Sequence, residues 1–287
     1  MIVALAPSAP RWTVPRAEAA LAEALSGVHR LGVAFSGGVD SSLLLALSAR
    51  VLGAEHVLAL LGVSPSLAAD ERSAAHAVAG EIGVSVLELS TFEGEQASYR
   101  ANGPDRCFHC KDELFRRIDD EIVSLHELDA VAYGENADDA ARADRPGARA
   151  ATDHAVLRPL ADAGITKSDV RALARELGLS VADKPAAPCL ASRIPHFSDV
   201  TPEKLHQIER AEAALHELGF AELRVRHHGE VARVELPAND LPRAVSEPLR
   251  DSVVRAVRAA GFRFVALDLG GVQSGAFTLP LVMVNGV

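Results

Sequence analysis

The stretch SGGVDSS at 36–42, preceded by RLGVAF at 30–35 and followed by LLLALSARVL at 43–52, decides the fold. The apolar run Arg30–Phe35 reads as a buried strand, and Ser41–Leu52 reads as a helix. A glycine pair between a buried strand and a helix lies where a doubly wound sheet places an anion site. Gly37 and Gly38 allow unusual backbone angles and let a ligand approach the main chain. Free N–H groups at the start of the following helix, with the hydroxyls of Ser36, Ser41 and Ser42, then suit phosphate oxygens. Asp40 repels a bare phosphate but can bind the Mg²⁺ that accompanies a triphosphate. Two other nucleotide signatures are missing. No GxxxxGK[ST] occurs, and no GxGxxG follows the first strand, which argues against a Walker loop and against dinucleotide redox chemistry.

Outward from this turn, strand and helix alternate. A helix is expected near Arg16–Leu25. Strands are expected at His56–Val63, Val84–Leu89 and Asp129–Tyr133, with a short fifth at Ala155–Leu157. Helices are expected over Ala69–Ile82, Glu113–Leu125 and Lys167–Leu177, the last with Ser168 as N-cap and Gly178 as its stop. This alternation predicts a parallel sheet with helices on both faces. Lys184–Pro202 is proline-rich and reads as an ordered connector. The remainder has another pattern. Thr201-Pro202 opens a helix to about Leu218, Glu222–His227 and Glu230–Leu236 form a hairpin at His228-Gly229, and a helix over Leu241–Ala260 precedes a strand at Arg263–Leu269. The expected fold is α/β, a doubly wound parallel sheet at 1–190, with a smaller α+β domain at 191–287.

Composition narrows the function. The 287 residues are 48% hydrophobic with 4% aromatics, so aliphatic contacts fill the core. A net charge of −10 disfavours a general nucleic-acid binder. No run approaches the ~18–20 apolar residues of a membrane helix. Met1–Trp12 contains Pro7 and Pro10 and no basic segment, unlike a signal peptide, so a cytoplasmic location is expected.

Three cysteines, an odd number in such a chain, point to metal, redox or nucleophile chemistry rather than a disulfide framework. RCFHCK at 106–111 places Cys107 and Cys110 within reach of one metal or cluster, and Cys189 lies in KPAAPCLASR at 184–193. Three thiolates suit a [4Fe–4S] cluster with one iron open to an external ligand; zinc would need a fourth ligand such as His109. Arg193 and Lys184, near Cys189 in sequence, favour a thiolate nucleophile. Arg193 can alternatively hold a nucleotide phosphate, and Lys111 can neutralise developing phosphate charge. In Leu223-Arg224-Val225-Arg226, alternation puts Arg224 and Arg226 on one strand face, an arrangement suited to a phosphate monoester.

SGGVDSS resembles the PP-loop signature of NAD and GMP synthetases, asparagine synthetases and tRNA thiolases, which cleave ATP between the α and β phosphates. GENADD at 134–139 resembles their second nucleotide motif, which implies that Gly134 and Asn136 approach the ATP and that Asp138 serves the metal. SGGVDSS, RCFHCK, RPL at 158–160, TKSDVR at 166–171 and DKPAAPCLASRIP at 183–195 together resemble the ATP-dependent sacrificial sulfur transferases of the LarE family. The resemblance implies adenylation of a carboxylate of pyridinium-3,5-biscarboxylic acid mononucleotide, attack by a cysteine-derived sulfur, release of AMP and formation of a thiocarboxylate, in nickel-pincer cofactor assembly for lactate racemase. One form of the family sacrifices the sulfur of the cysteine matching Cys189. The three-cysteine pattern here implies the other form, with Cys107, Cys110 and Cys189 holding a [4Fe–4S] cluster that takes sulfide from a donor. The likeness further implies that Arg224 and Arg226 bind the substrate phosphate, that Glu212 and Glu235 join a divalent metal site, and that the protein is a homo-oligomer. Gly270–Gly275, GGVQSG, departs from the aromatic and basic residues expected there. A tRNA thiolase, an ammonia-dependent amide synthetase and a non-catalytic nucleotide sensor are the competing readings.

Overall fold

The computed structural model describes residues 11–142 and 146–273. Most of Met1–Trp12, and Ser274-Gly275 of the departing C-terminal motif, lie outside them.

Four strands form the first sheet: β1 (Leu31–Ala34), β2 (Val57–Val63), β3 (Val86–Ser90) and β4 (Ala130–Tyr133), in the order β3-β2-β1-β4. β1 pairs in parallel with both β2 and β4, Leu31 standing opposite Val57 on one side and Ala130 on the other. The chain therefore builds outward from β1 to β3 and then returns to β1's other side. The carboxyl ends of β1 and β4 flank the point where the order reverses, which is where open α/β sheets bind ligands. The Val39–Leu52 helix leaves β1 here and buries Val39 and all of Leu43–Leu47. A helix apolar on nearly every side is a core helix. It packs against the Val14–Ala24 and Lys167–Glu176 helices.

The chain divides into two compact units. One gathers the residues up to Gly62, Asp70–Leu89 and Leu114–Ala187. The other takes Val63–Ala69, Ser90–Glu113 and the chain from Pro188 onward. The second unit holds the expected α-β-β-α-β pattern: the Pro202–Glu217 helix, an antiparallel hairpin of β5 (Arg224–His228) and β6 (Val231–Glu235), and β7 (Phe264–Asp268) parallel to β6. Its core joins Leu215 and Phe220 to Val225, Val234, Val257 and Phe262. Among the described residues no helix is long and apolar enough to cross a membrane.

Four expectations are corrected. Ala155–Leu157 is not a strand; only Leu157 bridges Ala132, because Ala155 takes a φ of +52° and Pro159 already opens the next helical turn. The helix expected from Glu113 begins at Arg106, so it carries the CxxC in its first turn, and continues past Arg117 as a π-helical turn over Ile118–Val123. Thr166, not Ser168, caps the Lys167–Glu176 helix, through a reciprocal capping box with Asp169. The helix expected over Leu241–Ala260 is two, Leu241–Val245 and Leu249–Ala259, since Pro248 lacks the N–H that would continue the first.

Candidate active site

At the reversal of strand order, two main chains touch and leave no room for side chains. Gly37 takes a φ of +68°, and a Cβ there would stand 2.8 Å from the Cα of Ala75. Gly134, directly after β4, is tighter: its Cβ would lie 2.6 Å from the Ser41 amide nitrogen. Gly38 caps the Val39–Leu52 helix in extended conformation, so first-turn amides lack intrahelical acceptors. Ser41 Oγ donates to the Gly38 carbonyl at 3.0 Å and accepts from the Ser36 amide at 3.3 Å, while Gly38 N–H reaches Ser36 Oγ at 3.4 Å. The turn is thus held by its own hydrogen bonds. Ser36 is exposed on it. Ser42, expected to face phosphate, is instead fully buried, and its Oγ has no hydrogen-bond partner among the described residues.

Asn136 is also fully buried. Its Nδ2 donates to Asp40 Oδ1 at 2.9 Å and to Asp139 Oδ2 at 2.9 Å, and its Oδ1 caps the Ala137–Ala140 turn by accepting from the Asp139 amide. The second oxygen of Asp40 is ion-paired with Lys167, whose own amide donates to Asp138 Oδ2 at 2.8 Å. Lys167 is a residue that sequence reasoning missed, although TKSDVR contains it. The capping box fixes it as the first residue of its helix, beside two aspartates. Mg²⁺ commonly takes one or two carboxylates and completes its shell with phosphate oxygens and water. Asp40 and Asp138 match that demand, so this turn fits a Mg²⁺-bound triphosphate.

In the second unit, Cys107 and Cys110 sit three residues apart in the first turn of the Arg106–Arg117 helix, hence on one side of it. Cys107 is exposed and Cys110 half-buried. Cys189 ends the exposed run Pro185–Cys189, immediately before buried Leu190 and Ala191. Burial pushes the Cys110 thiol well up, and Glu93, Cys189 and Cys107 add to the effect while Arg106 opposes it. The thiols therefore sense one another. Yet among the described residues no three His, Cys, Asp or Glu side chains gather to hold a metal. The ligand set expected for a [4Fe–4S] cluster does not fit this arrangement, and His109, the candidate fourth zinc ligand, meets Asp105 at 3.2 Å. Lys111 follows in the same turn, half-buried.

Arg193 forks onto Glu212 with two bonds of 3.0 Å and donates to the Pro188 carbonyl at 2.5 Å. It braces the turn that carries Cys189. Lys184 pairs with Glu71 at 2.7 Å.

Arg224 and Arg226 are both buried on β5 rather than facing solvent. Arg226 forks onto Glu235 at 3.0 and 2.9 Å and donates to the Ser192 carbonyl at 2.9 Å. Both arginines reach the Gln273 carbonyl, at 2.5 and 2.8 Å. Glu212 and Glu235, expected as ligands of a divalent ion, are each gripped by a guanidinium fork instead, and Glu212 also accepts from the Val225 amide. Burial first, then the charges of Arg226 and Arg193, hold the Arg224 guanidinium below its ordinary value. Arg233 adds a further contact to Glu235 at 3.2 Å, so several guanidiniums gather at the end of β5, a setting that suits an anion.

Comparison with known proteins agrees with this geometry. The family model for asparagine synthase matches residues 16–105, which include the glycine turn. An uncharacterized protein of Synechocystis is 39% identical over 248 residues, 86% of this chain and 91% of that protein. A pyridinium-3,5-bisthiocarboxylic acid mononucleotide synthase of Lactiplantibacillus plantarum is 35% identical over 266 residues, covering 92% of this chain and 94% of its own. An uncharacterized protein of Methanocaldococcus jannaschii is 28% identical over 83% of this chain. With the PP-loop turn in place, the LarE motifs on one chain and the mononucleotide synthase matched nearly end to end, this protein belongs to the LarE family of sulfur transferases.

Proposed function

We propose that this enzyme uses ATP to convert a carboxylate of a pyridinium mononucleotide into a thiocarboxylate, with Cys189 delivering the sulfur. Asp40 and Asp138 would position Mg²⁺ on the triphosphate, and the amides and hydroxyls of 36–41 would hold its phosphates. The substrate carboxylate attacks the α-phosphorus, the bond to the β-phosphate breaks, and pyrophosphate leaves. The Cys189 thiolate attacks the acyl-adenylate carbon, expelling AMP and forming a thioester. Breaking the Cβ–S bond of Cys189, with loss of the Cα proton to a base, leaves dehydroalanine in the protein and sulfur on the substrate.

The observation that carries this reading lies within one unit. Arg226 donates to the carbonyl of Ser192, three residues from the exposed thiol, and Arg224 lies buried two positions away on the same strand. A mononucleotide phosphate held at Arg224 therefore stands on the same scaffold as the sulfur.

Incubation with Mg-ATP and the dicarboxylate mononucleotide, followed by assays for pyrophosphate and thiocarboxylate and by intact mass, tests the proposal. Wild-type protein is expected to release both products and to lose one H₂S per chain. Cys189→Ala is expected to keep pyrophosphate release and abolish thiocarboxylate. ATP bound but never cleaved, or transfer that survives in the variant, overturns the reading. Anaerobically purified protein with bound iron and sulfide and an unchanged mass after many turnovers would move the sulfur from Cys189 to the cluster.

A further inference from the structure

The second unit contains two buried polar side chains that the proposed mechanism leaves without a task. Asn102 is fully buried, in the left-handed region at a φ of +54°, which asparagine tolerates better than most residues. Its Nδ2 faces three carbonyls: Ile194 at 3.2 Å, Pro195 at 2.7 Å and Ser198 at 3.1 Å. Its own carbonyl accepts from the Phe197 amide at 3.1 Å and from His196 Nδ1 at 3.0 Å. Arg106 Nη1 donates to Asn102 Oδ1 at 2.6 Å and to the Ala191 carbonyl at 2.8 Å. Two residues next to the CxxC thus take hold of the chain from 191 to 198, just after Cys189.

Arg106 is itself buried, so its Nη1 ties the first residue of the CxxC helix to the backbone two residues beyond Cys189 from within the packed interior of this unit.

We infer that Asn102 and Arg106 are positioning residues that fix the Cys189 turn against the CxxC helix, so that sulfur delivery depends on them and ATP cleavage does not. The inference rests on the sulfur-transfer reading for its consequence and on the hydrogen-bond geometry for its cause, and the two are measured separately. Hydrogen exchange reads the cause. In Asn102→Asp, which removes the Nδ2 donor while keeping an acceptor for Arg106, the amides of Ile194, Phe197 and Val200 are expected to exchange at least tenfold faster, with strands β5 and β6 unchanged. The half-reactions read the consequence. In Arg106→Gln, pyrophosphate release should stay within about twofold of wild type while thiocarboxylate formation falls about ten- to a hundredfold. Arg106→Lys, which keeps the charge, should recover part of the transfer.

Unchanged exchange in Asn102→Asp overturns the inference whatever the activity. So does a parallel fall of both half-reactions in Arg106→Gln, which marks a general folding defect. If wild-type protein cleaves no ATP, the sulfur-transfer reading fails, and the exchange result alone still decides whether the pair fixes the turn.

Discussion

At the scale of single residues, Gly134 shows how little space the nucleotide turn leaves. A methyl group there would stand 2.6 Å from the Ser41 nitrogen, against backbone that cannot swing aside as a side chain can. Gly134→Ala is expected to cost about 1–3 kcal/mol in stability, and to weaken ATP binding at least tenfold by pushing Asp40 and Ser41 out of place. Calorimetric titration with Mg-ATP and a thermal melt check both. Full affinity in the variant would mean that the β4 end does not shape the phosphate site. Part of this was readable in the letters alone. SGGVDSS named its glycines and Asp40, because a strand, a turn and a helix leave a local signature. The partners of Asp40 had no such signature: Asn136 and Lys167 lie far along the chain and meet it only through the fold. For the same reason the arginines of β5 were found as a pair by alternation, while their engagement with Glu235 and Gln273 was not.

At the scale of elements, the Lys167–Glu176 helix depends on its first turn. Thr166 accepts from the Asp169 amide, and Asp169 accepts from the Thr166 amide at 3.0 Å. Thr166→Ala is expected to cost about 1 kcal/mol, whereas Ser168→Ala, at an exposed position, should stay within about 0.5 kcal/mol. Denaturant melts of both variants compare the caps, and equal losses would refute the assignment. Since Lys167 begins this helix, the Thr166 variant should also bind Mg-ATP less tightly. Elements with a strong apolar rhythm were legible in the sequence, the Lys167–Glu176 helix with its buried Val170, Leu173 and Ala174 among them. The Arg106–Arg117 helix was legible only in its later part. Its first turn, RCFHCK, has few apolar residues to mark a period, and its start is set by contacts with the 191–198 stretch. A lone bridge at Leu157 was mistaken for a strand because three apolar residues satisfy a strand pattern without a ladder to join.

At the scale of the whole molecule, the net charge of −10 disfavours general binding to RNA. Bulk tRNA at about 0.15 M salt is expected to produce no electrophoretic shift. Tight, salt-sensitive retention would instead favour the tRNA reading. The second unit also has an unusual relation to chain order. Among the described residues it is stitched from 63–69, from 90–113 and from 188–273. During synthesis, the helix bearing the CxxC therefore leaves the ribosome long before the segment that covers Tyr99 and Arg106 has been translated. Until then those groups meet water and chaperones instead of their final neighbours. A gene fragment cut at Pro188 would carry the glycine turn and two of the thiols yet lack the material that completes their surroundings, so neither half of the gene encodes the whole second unit by itself.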